Sequence, residues 1–273
     1  MSKGQKFLKF LAICLAFGII FAVMAAIFSC VSFFSFLFTS NSIYEVSNGK
    51  TITEPIYELE VYVGEADLEI RKGNSLYVET DSENVEIIAN KGVLSVKEVR
   101  RPFSVGFESK NVVIYIPEDL YFSDVEIETG TGRISIKDIL TSNFELELGA
   151  GEITMKNVEV TQKTTIHGGA GAVNAENCRF TDLDMELGTG NSKLEASILG
   201  DSDIECGVGN TEISLLKEPA QYTISVDKGI GEVLVDGVNA ADDDVFGSGT
   251  NMLDVTCGVG KVTIDNSNDE FKE

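Results

Sequence analysis

Seven Gly-x-Gly triplets recur from residue 130 onward: Gly130-Thr131-Gly132, Gly149-Ala150-Gly151, Gly169-Ala170-Gly171, Gly188-Thr189-Gly190, Gly207-Val208-Gly209, Gly229-Ile230-Gly231 and Gly258-Val259-Gly260. The steps between them are 19, 20, 19, 19, 22 and 29 residues. A period near 20 is the mark of a solenoid, because so small a unit cannot bury its own apolar face and must stack on a neighbour.

The flanks of the triplets have period 2. Before the first glycine stand Val125/Ile127/Thr129, Phe144/Leu146/Leu148, Leu183/Met185/Leu187 and Leu253/Val255/Cys257. After it stand Ile134/Ile136, Ile153/Met155, Val173/Ala175, Val233/Val235 and Val262/Ile264. Alternation of this kind gives strands with one buried face. Each repeat reads as strand, glycine corner, strand and turn, with Asn157, Asn177 and Asn266 at one turn position that favours left-handed backbone. The glycines suit tight corners, and the residue between them is expected to point inward.

The expected fold class is therefore all-β, a β-solenoid of parallel β-helix type with coils of about 20 residues, spanning 123–266. Residues 239–251 read as a loop thrown out of the seventh coil. Strand-like runs at 57–63, 68–70, 76–79, 85–88, 93–96 and 112–116 make 56–122 an N-terminal β cap over the open sheet end. Residues 267–273 are a tail.

The first 55 residues are different. Lys3, Lys6 and Lys9 lie in a short tail, residues 1–9, and residues 10–38 are almost wholly apolar. That stretch exceeds the roughly 20 residues needed to cross a bilayer. A signal peptide has an apolar region of about 7–15 residues and a small-residue cleavage site, which this stretch lacks. The expectation is an uncleaved single-pass transmembrane helix. Lysines before the span and none just after it place the N-terminus in the cytoplasm and the repeats outside the cell membrane. Residues 39–55 are a polar tether.

The run Val112-Val113-Ile114-Tyr115-Ile116-Pro117, then Val125 to Ile136 (VEIETGTGRISI), then the repeated Glu-Leu-Gly-x-Gly, resembles the bacterial putative-adhesin family. These are envelope proteins of β-strand repeats whose domain has no assigned function. The resemblance covers about residues 56–266 and implies a β-solenoid outside the membrane, with no known catalytic residues.

Composition removes several functions. The chain has 44 acidic and 21 basic residues, a net charge of −23, and a single His. Phosphate would be repelled, which argues against nucleic acid as a partner. Cys178, Cys206 and Cys257 are too few for zinc-finger or iron–sulfur ligation, and their odd number gives no disulfide framework. With consecutive coils stacked in order, Cys206 and Cys257 fall two coils apart, too far to bond. Lys228 stands between them at an inward position, reading as a side chain that snorkels outward.

Two outward columns carry the charge. Two residues before each first glycine stand Glu128, Glu147, His167, Glu186, Glu205, Asp227 and Thr256. Four before stand Glu126, Glu145, Thr165, Asp184, Asp203, Ser225 and Asp254. Stacked in register, the pairs 126/145, 128/147, 184/203, 186/205 and 205/227 face one another. At ~5 Å in water each costs roughly 0.8 kcal/mol, about 4 kcal/mol in all, before screening. Either solvation and salt offset this, or the face holds cations: Ca²⁺ or Mg²⁺, which take carboxylate ligands, or a basic peptide or polymer. Glu126, Glu128, Glu145, Glu147, Asp184, Glu186, Asp203, Glu205 and Asp227 are the candidate residues. His167 is either a ligand or pH sensor, or an exposed polar replacement.

The glycine triplets are not phosphate cradles, since none continues to the third glycine of a dinucleotide fingerprint. Asp242-Asp243-Asp244 fails the EF-hand pattern, because Phe246 and Leu253 stand where ligands are needed. Arg133 beside Glu152 is the one basic–acidic juxtaposition between neighbouring coils that an enzyme reading could use, and an ordinary cross-strand ion pair explains it. The expected function is non-enzymatic: an adhesin or binding scaffold outside a bacterial membrane, with no cofactor. The alternative is an envelope-stress module that captures cationic peptides through a membrane partner, and the third reading is a polysaccharide-active β-helix enzyme.

Overall fold

A computed structural model describes residues 49–99, 110–216 and 221–265. The expected span at 10–38, the tail 1–9, most of the tether, Asn266 and the tail 267–273 lie outside the described residues. Among the described residues no helix is long and apolar enough to cross a membrane.

The described chain is all β. Its strands are β1 (Gly49–Thr51), β2 (Glu58–Lys72), β3 (Tyr77–Thr80), β4 (Val85–Asn90), β5 (Val93–Glu98), β6 (Lys110–Ile116), β7 (Phe122–Lys137) and β8 (Leu140–Lys156). They continue as β9 (Glu159–Thr181), β10 (Leu183–Leu199), β11 (Asp201–Leu215), β12 (Tyr222–Lys228), β13 (Glu232–Val235), β14 (Val238–Asn239), β15 (Asp244–Gly247) and β16 (Asn251–Asp265). Each long strand bends at its glycine triplet, so one element carries both sides of the corner. The strand order is β1-β3-β6-β2-β7-β8-β9-β10-β11-β16-β12-β15, and pairing from β2 through β12 is parallel.

The inward columns are continuous. Val61, Ile127, Leu146, Ile166, Met185, Ile204, Val255 and Val226 form one eight-deep row, each at most 2 % exposed. Burying such rows is what holds the stack together, at roughly 1.5–3 kcal/mol per aliphatic side chain. At the turns, Asp138, Asn157 and Asn177 adopt positive φ. Their side chains form a ladder along the stack, Asn157 Nδ2 donating to Asp138 Oδ1 (2.7 Å) and Asn177 Nδ2 to Asn157 Oδ1 (2.8 Å).

The corners need glycine for a reason that repetition alone does not reveal. The second glycine of six triplets has φ between 138° and 150°. A Cβ at Gly151, Gly171, Gly190, Gly209 or Gly260 would be driven into the carbonyl oxygen of the equivalent glycine in the coil stacked beside it. The requirement is close approach of backbone between coils as well as a left-handed corner. This geometry corrects the expected inward middle residue: Thr131, Ala170, Thr189, Val208 and Ile230 are exposed, because the turn at the glycines swings the middle Cα away from the core.

Three further features depart from a simple sequential stack. First, β2 is itself a coil, in register with β7 from Glu58 to Ile70, with Gly64-Glu65-Ala66 at its corner. Second, the 239–251 segment does not stand clear as a loop: β14 pairs with β13, and β15 pairs antiparallel with the outer edge of β12. Third, the C-terminal strand β16 inserts between β11 and β12, so the coil of Gly258 lies between those of Gly207 and Gly229. The 29-residue step is long enough for the chain to run out along β12 and return inside it.

Candidate functional site

Each long strand has an outward side before its corner and another after it. On the first side, register converts the sequence spacing into columns. Glu60, Glu126, Glu145, Thr165, Asp184, Asp203, Asp254 and Ser225 form one, and Tyr62, Glu128, Glu147, His167, Glu186, Glu205, Thr256 and Asp227 the other. Parallel neighbours lie about 4.8 Å apart.

The expected pairs 126/145, 128/147, 184/203 and 186/205 are in register. The pair 205/227 is not, because β16 intervenes: Thr256 separates Glu205 from Asp227, and the inserted strand creates Asp203/Asp254 instead. Glu60 and Tyr62, which carry the columns into the first coil, escaped the sequence reading because Ala66 breaks the Gly-x-Gly signature there.

These carboxylates are not splayed freely into water. Glu126, Glu128, Glu147, Asp184, Glu186 and Glu205 are half-buried by their neighbours along the strands. Partial burial, then the charge of Glu147 and of Glu126 and Glu145, raises Glu128 to about 7. Burial likewise raises Glu126, Glu147, Asp203 and Glu205, with the neighbouring carboxylates adding to it. Burial raises the Tyr62 phenol further, aided by its hydrogen bond to Glu126 and the surrounding acids. Among the described residues, none of the eight carboxylates from Glu126 to Glu205 in the two columns has a Lys or Arg within ion-pair distance.

His167 is where the face changes character. It is half-buried, in register between Glu147 and Glu186, and its Nε2 is buried with no hydrogen-bond partner. One donor atom each from His167, Asp184 and Glu186 lie within 4.8 Å of one another. Sequence spacing placed His167 in the Glu186 column; the approach of Asp184 from the adjoining column is a diagonal contact visible only once side chains are placed.

The second side is built differently. Arg133 is in register with Glu152 but bonds to Asp67 of the first coil, Nη2 to Oδ2 at 2.6 Å. Lys156 pairs with Glu176 (2.6 Å) and Lys261 with Glu232 (3.5 Å). A groove of ≈ 370 Å³ lies here, lined by Asp67, Glu69, Asn111, Arg133 and Glu152 among others. Its one arginine is engaged by Asp67, so Arg133 and Glu152 do not form the basic–acidic pair that an enzyme reading needs. Lys228, expected to snorkel, reaches across to the Ala240 carbonyl and to Asn239 Oδ1 (3.5 Å), tying the 239–251 segment down. Asp244 is likewise occupied locally, accepting from Ala241 N–H at 2.6 Å.

Residues 56–268 match a sequence family described as Toastrack DUF4097. Comparison with the curated proteins finds no match. Among solved structures, similar chains include a putative cell adhesion protein from Clostridium sporogenes ATCC 15579, 16% identical, covering 80% of this chain and 98% of that one, TM-score 0.36. Another is a putative adhesin from Bacteroides fragilis NCTC 9343, 10% identical, covering 82% and 100%, TM-score 0.26. A third is a putative adhesin from Parabacteroides distasonis ATCC 8503, 12% identical, covering 80% and 96%, TM-score 0.33.

Proposed function

This chain belongs to the Toastrack DUF4097 family, and from that premise we propose that it is a non-enzymatic, adhesin-like binding scaffold of the bacterial cell surface. The observation that carries the reading is the run of eight carboxylates from Glu126 to Glu205 in two in-register columns, without a Lys or Arg partner among the described residues, mostly half-buried and with several members pushed toward protonation. A scaffold that keeps like charges aligned at about 4.8 Å intervals gains most from a ligand that brings the opposite charge. The ligand class is a polymer or peptide with repeated ammonium or guanidinium groups. In this reading residues 10–38 anchor the chain in the membrane and 39–55 hold the face outside it.

A second reading is favoured by one place on the same face. His167, Asp184 and Glu186 bring one ring nitrogen and two carboxylate oxygens within 4.8 Å of one another, and His167 also has a buried Nε2 without a hydrogen-bond partner, a donor set that suits a divalent cation with mixed ligation better than Ca²⁺ alone.

Both are tested by titrating the full chain in detergent with a cationic amphipathic peptide at about 0.15 M salt, where unspecific surface attraction is largely screened. Saturable binding weakened by Glu147→Gln with Glu186→Gln supports the scaffold reading, and binding that those changes leave intact sinks it. Stoichiometric Zn²⁺ or Mn²⁺ binding that disappears in His167→Gln selects the second reading.

A further inference from the structure

Cys206 and Cys257 lie 51 residues apart in sequence, yet the insertion of β16 beside β11 makes them in-register neighbours. Both side chains face the core, at 8% and 1% exposure, so their Cα–Cβ bonds leave adjacent parallel strands in the same direction. Adjacent parallel strands are about 4.8 Å apart, inside the 4.4–6.8 Å over which Cα atoms are bridged by a disulfide. Both cysteines are free thiols here. Cys206 Sγ lies 3.0 Å from Thr211 Oγ1, and Cys257 Sγ occupies the space over Gly231, where a Cβ would come within 2.5 Å of it.

We propose that Cys206 and Cys257 are a disulfide site that locks the C-terminal strand β16 into its place between β11 and β12. The bond would close the loop that contains β12 to β15, where the chain leaves β11, runs out along β12 and returns between them. It also accounts for the odd number of cysteines in the repeats. Cys178 faces Ala196 across its own strand pair and has no in-register thiol among the described residues, so one bond and one thiol are expected from the three.

The chemistry balances as ordinary thiol–disulfide exchange. The Cys206 thiolate attacks a disulfide oxidant, oxidised glutathione or a thiol–disulfide oxidoreductase, forming a mixed disulfide and releasing one thiol. Cys257 thiolate then attacks the Cys206 sulfur, the second oxidant thiolate leaves, and the oxidant has taken up two electrons. The two protons lost by the cysteines end on the oxidant's thiols. Burial raises both thiols, Cys206 to about 11, which makes them slow nucleophiles once the core is closed. The bond therefore forms while the chain folds, before β12 covers β16.

The test is to synthesise the full chain in a cell-free system, in detergent micelles, over a mixture of reduced and oxidised glutathione. Free thiols are then blocked with N-ethylmaleimide and the peptides mapped without reductant. The expected result is a linked Cys206–Cys257 peptide with Cys178 labelled, and a melting midpoint that drops by several degrees on reduction. Cys178→Ser keeps the link and the reductant sensitivity. Labelling of both Cys206 and Cys257 in the folded product overturns the proposal, as does equal linkage to Cys178 or between chains. The peptide map is made on the unsubstituted chain, so the outcome does not depend on whether a cysteine variant folds.

Discussion

The two outward sides of the stack share one backbone, one register and one line of corners, yet handle charge in opposite ways. After the corner, successive coils alternate sign or pair back to the first coil, as Arg133 does with Asp67, Lys156 with Glu176 and Lys261 with Glu232. Before the corner the same sign repeats, Glu126 on Glu145, Glu128 on Glu147, Asp184 on Asp203 and Asp254. Stacking therefore does not itself demand acidic columns, because the second side shows the same scaffold carrying compensated charge. The acid ladder is a property of one side, and its electrostatic cost is one that the fold could have avoided.

The largest expected effect is common to both sides, because they hang from the same corners. In Gly190→Ala the new Cβ meets the Gly171 carbonyl at a backbone φ of 150°, and the variant should lose about 3 kcal/mol or more by urea unfolding. Ala66→Gly, at the corner of the first coil, should cost no more than about 1 kcal/mol. Equal losses from the two substitutions would remove the argument from coil-to-coil contact.

Titration should separate the sides next. Glu128 is raised to about 7 in the folded chain, so between the ordinary carboxylate range and pH 7 the native state holds more protons than the unfolded one. Stability should fall as pH rises through that window, on the order of 1 kcal/mol for Glu128 once solvent screening of a half-buried group is allowed for. Asp67 on the second side runs the other way. Its hydrogen bond from Arg133 lowers it, so its contribution is present above the ordinary Asp range and is lost as pH falls below it. Urea midpoints at about pH 4 and pH 8, either side of the window, check the first sign, and Glu128→Gln should flatten the difference. A higher midpoint on the alkaline side would mean that the columns are more solvated than their packing indicates.

Removing charge should then matter on the first side and hardly at all on the second. Glu147→Gln or Glu186→Gln relieves like-charge neighbours and should stabilise the unliganded chain by up to about 1 kcal/mol, while weakening any cationic ligand. A destabilised variant would show that a cation already offsets the column. The smallest effect is expected from Lys261→Ala on the second side, where an exposed pair should leave the urea midpoint within error at about 0.15 M salt.

Much of the candidate site was legible in the chain's pattern alone. The alternation around each triplet put Glu126, Glu128, Glu145 and Glu147 outward, and the period made them columns. The pattern misled where coils were expected to stack in chain order. Stacking in chain order would set Asp227 beside Glu205 and Cys206 two coils from Cys257. It misled again at the first coil, where Gly64-Glu65-Ala66 lacks the second glycine, and at the corner residues, whose outward direction depends on the backbone angles of the glycines beside them.

Period, corners and the inward face were determined by the sequence alone because they are local. A Gly pair permits a turn, and alternation over about six residues decides which side is buried wherever that strand ends up. Which coil lies against which was decided only in the tertiary structure. Parallel strands pair through backbone groups that are the same in every coil, and the apolar columns accept Val, Ile or Leu from any of them. With so little sequence preference at the contact, the long excursion between Gly229 and Gly258 was free to place the last strand inside the preceding coil. That single choice brought Asp254 to Asp203 and Cys257 to Cys206.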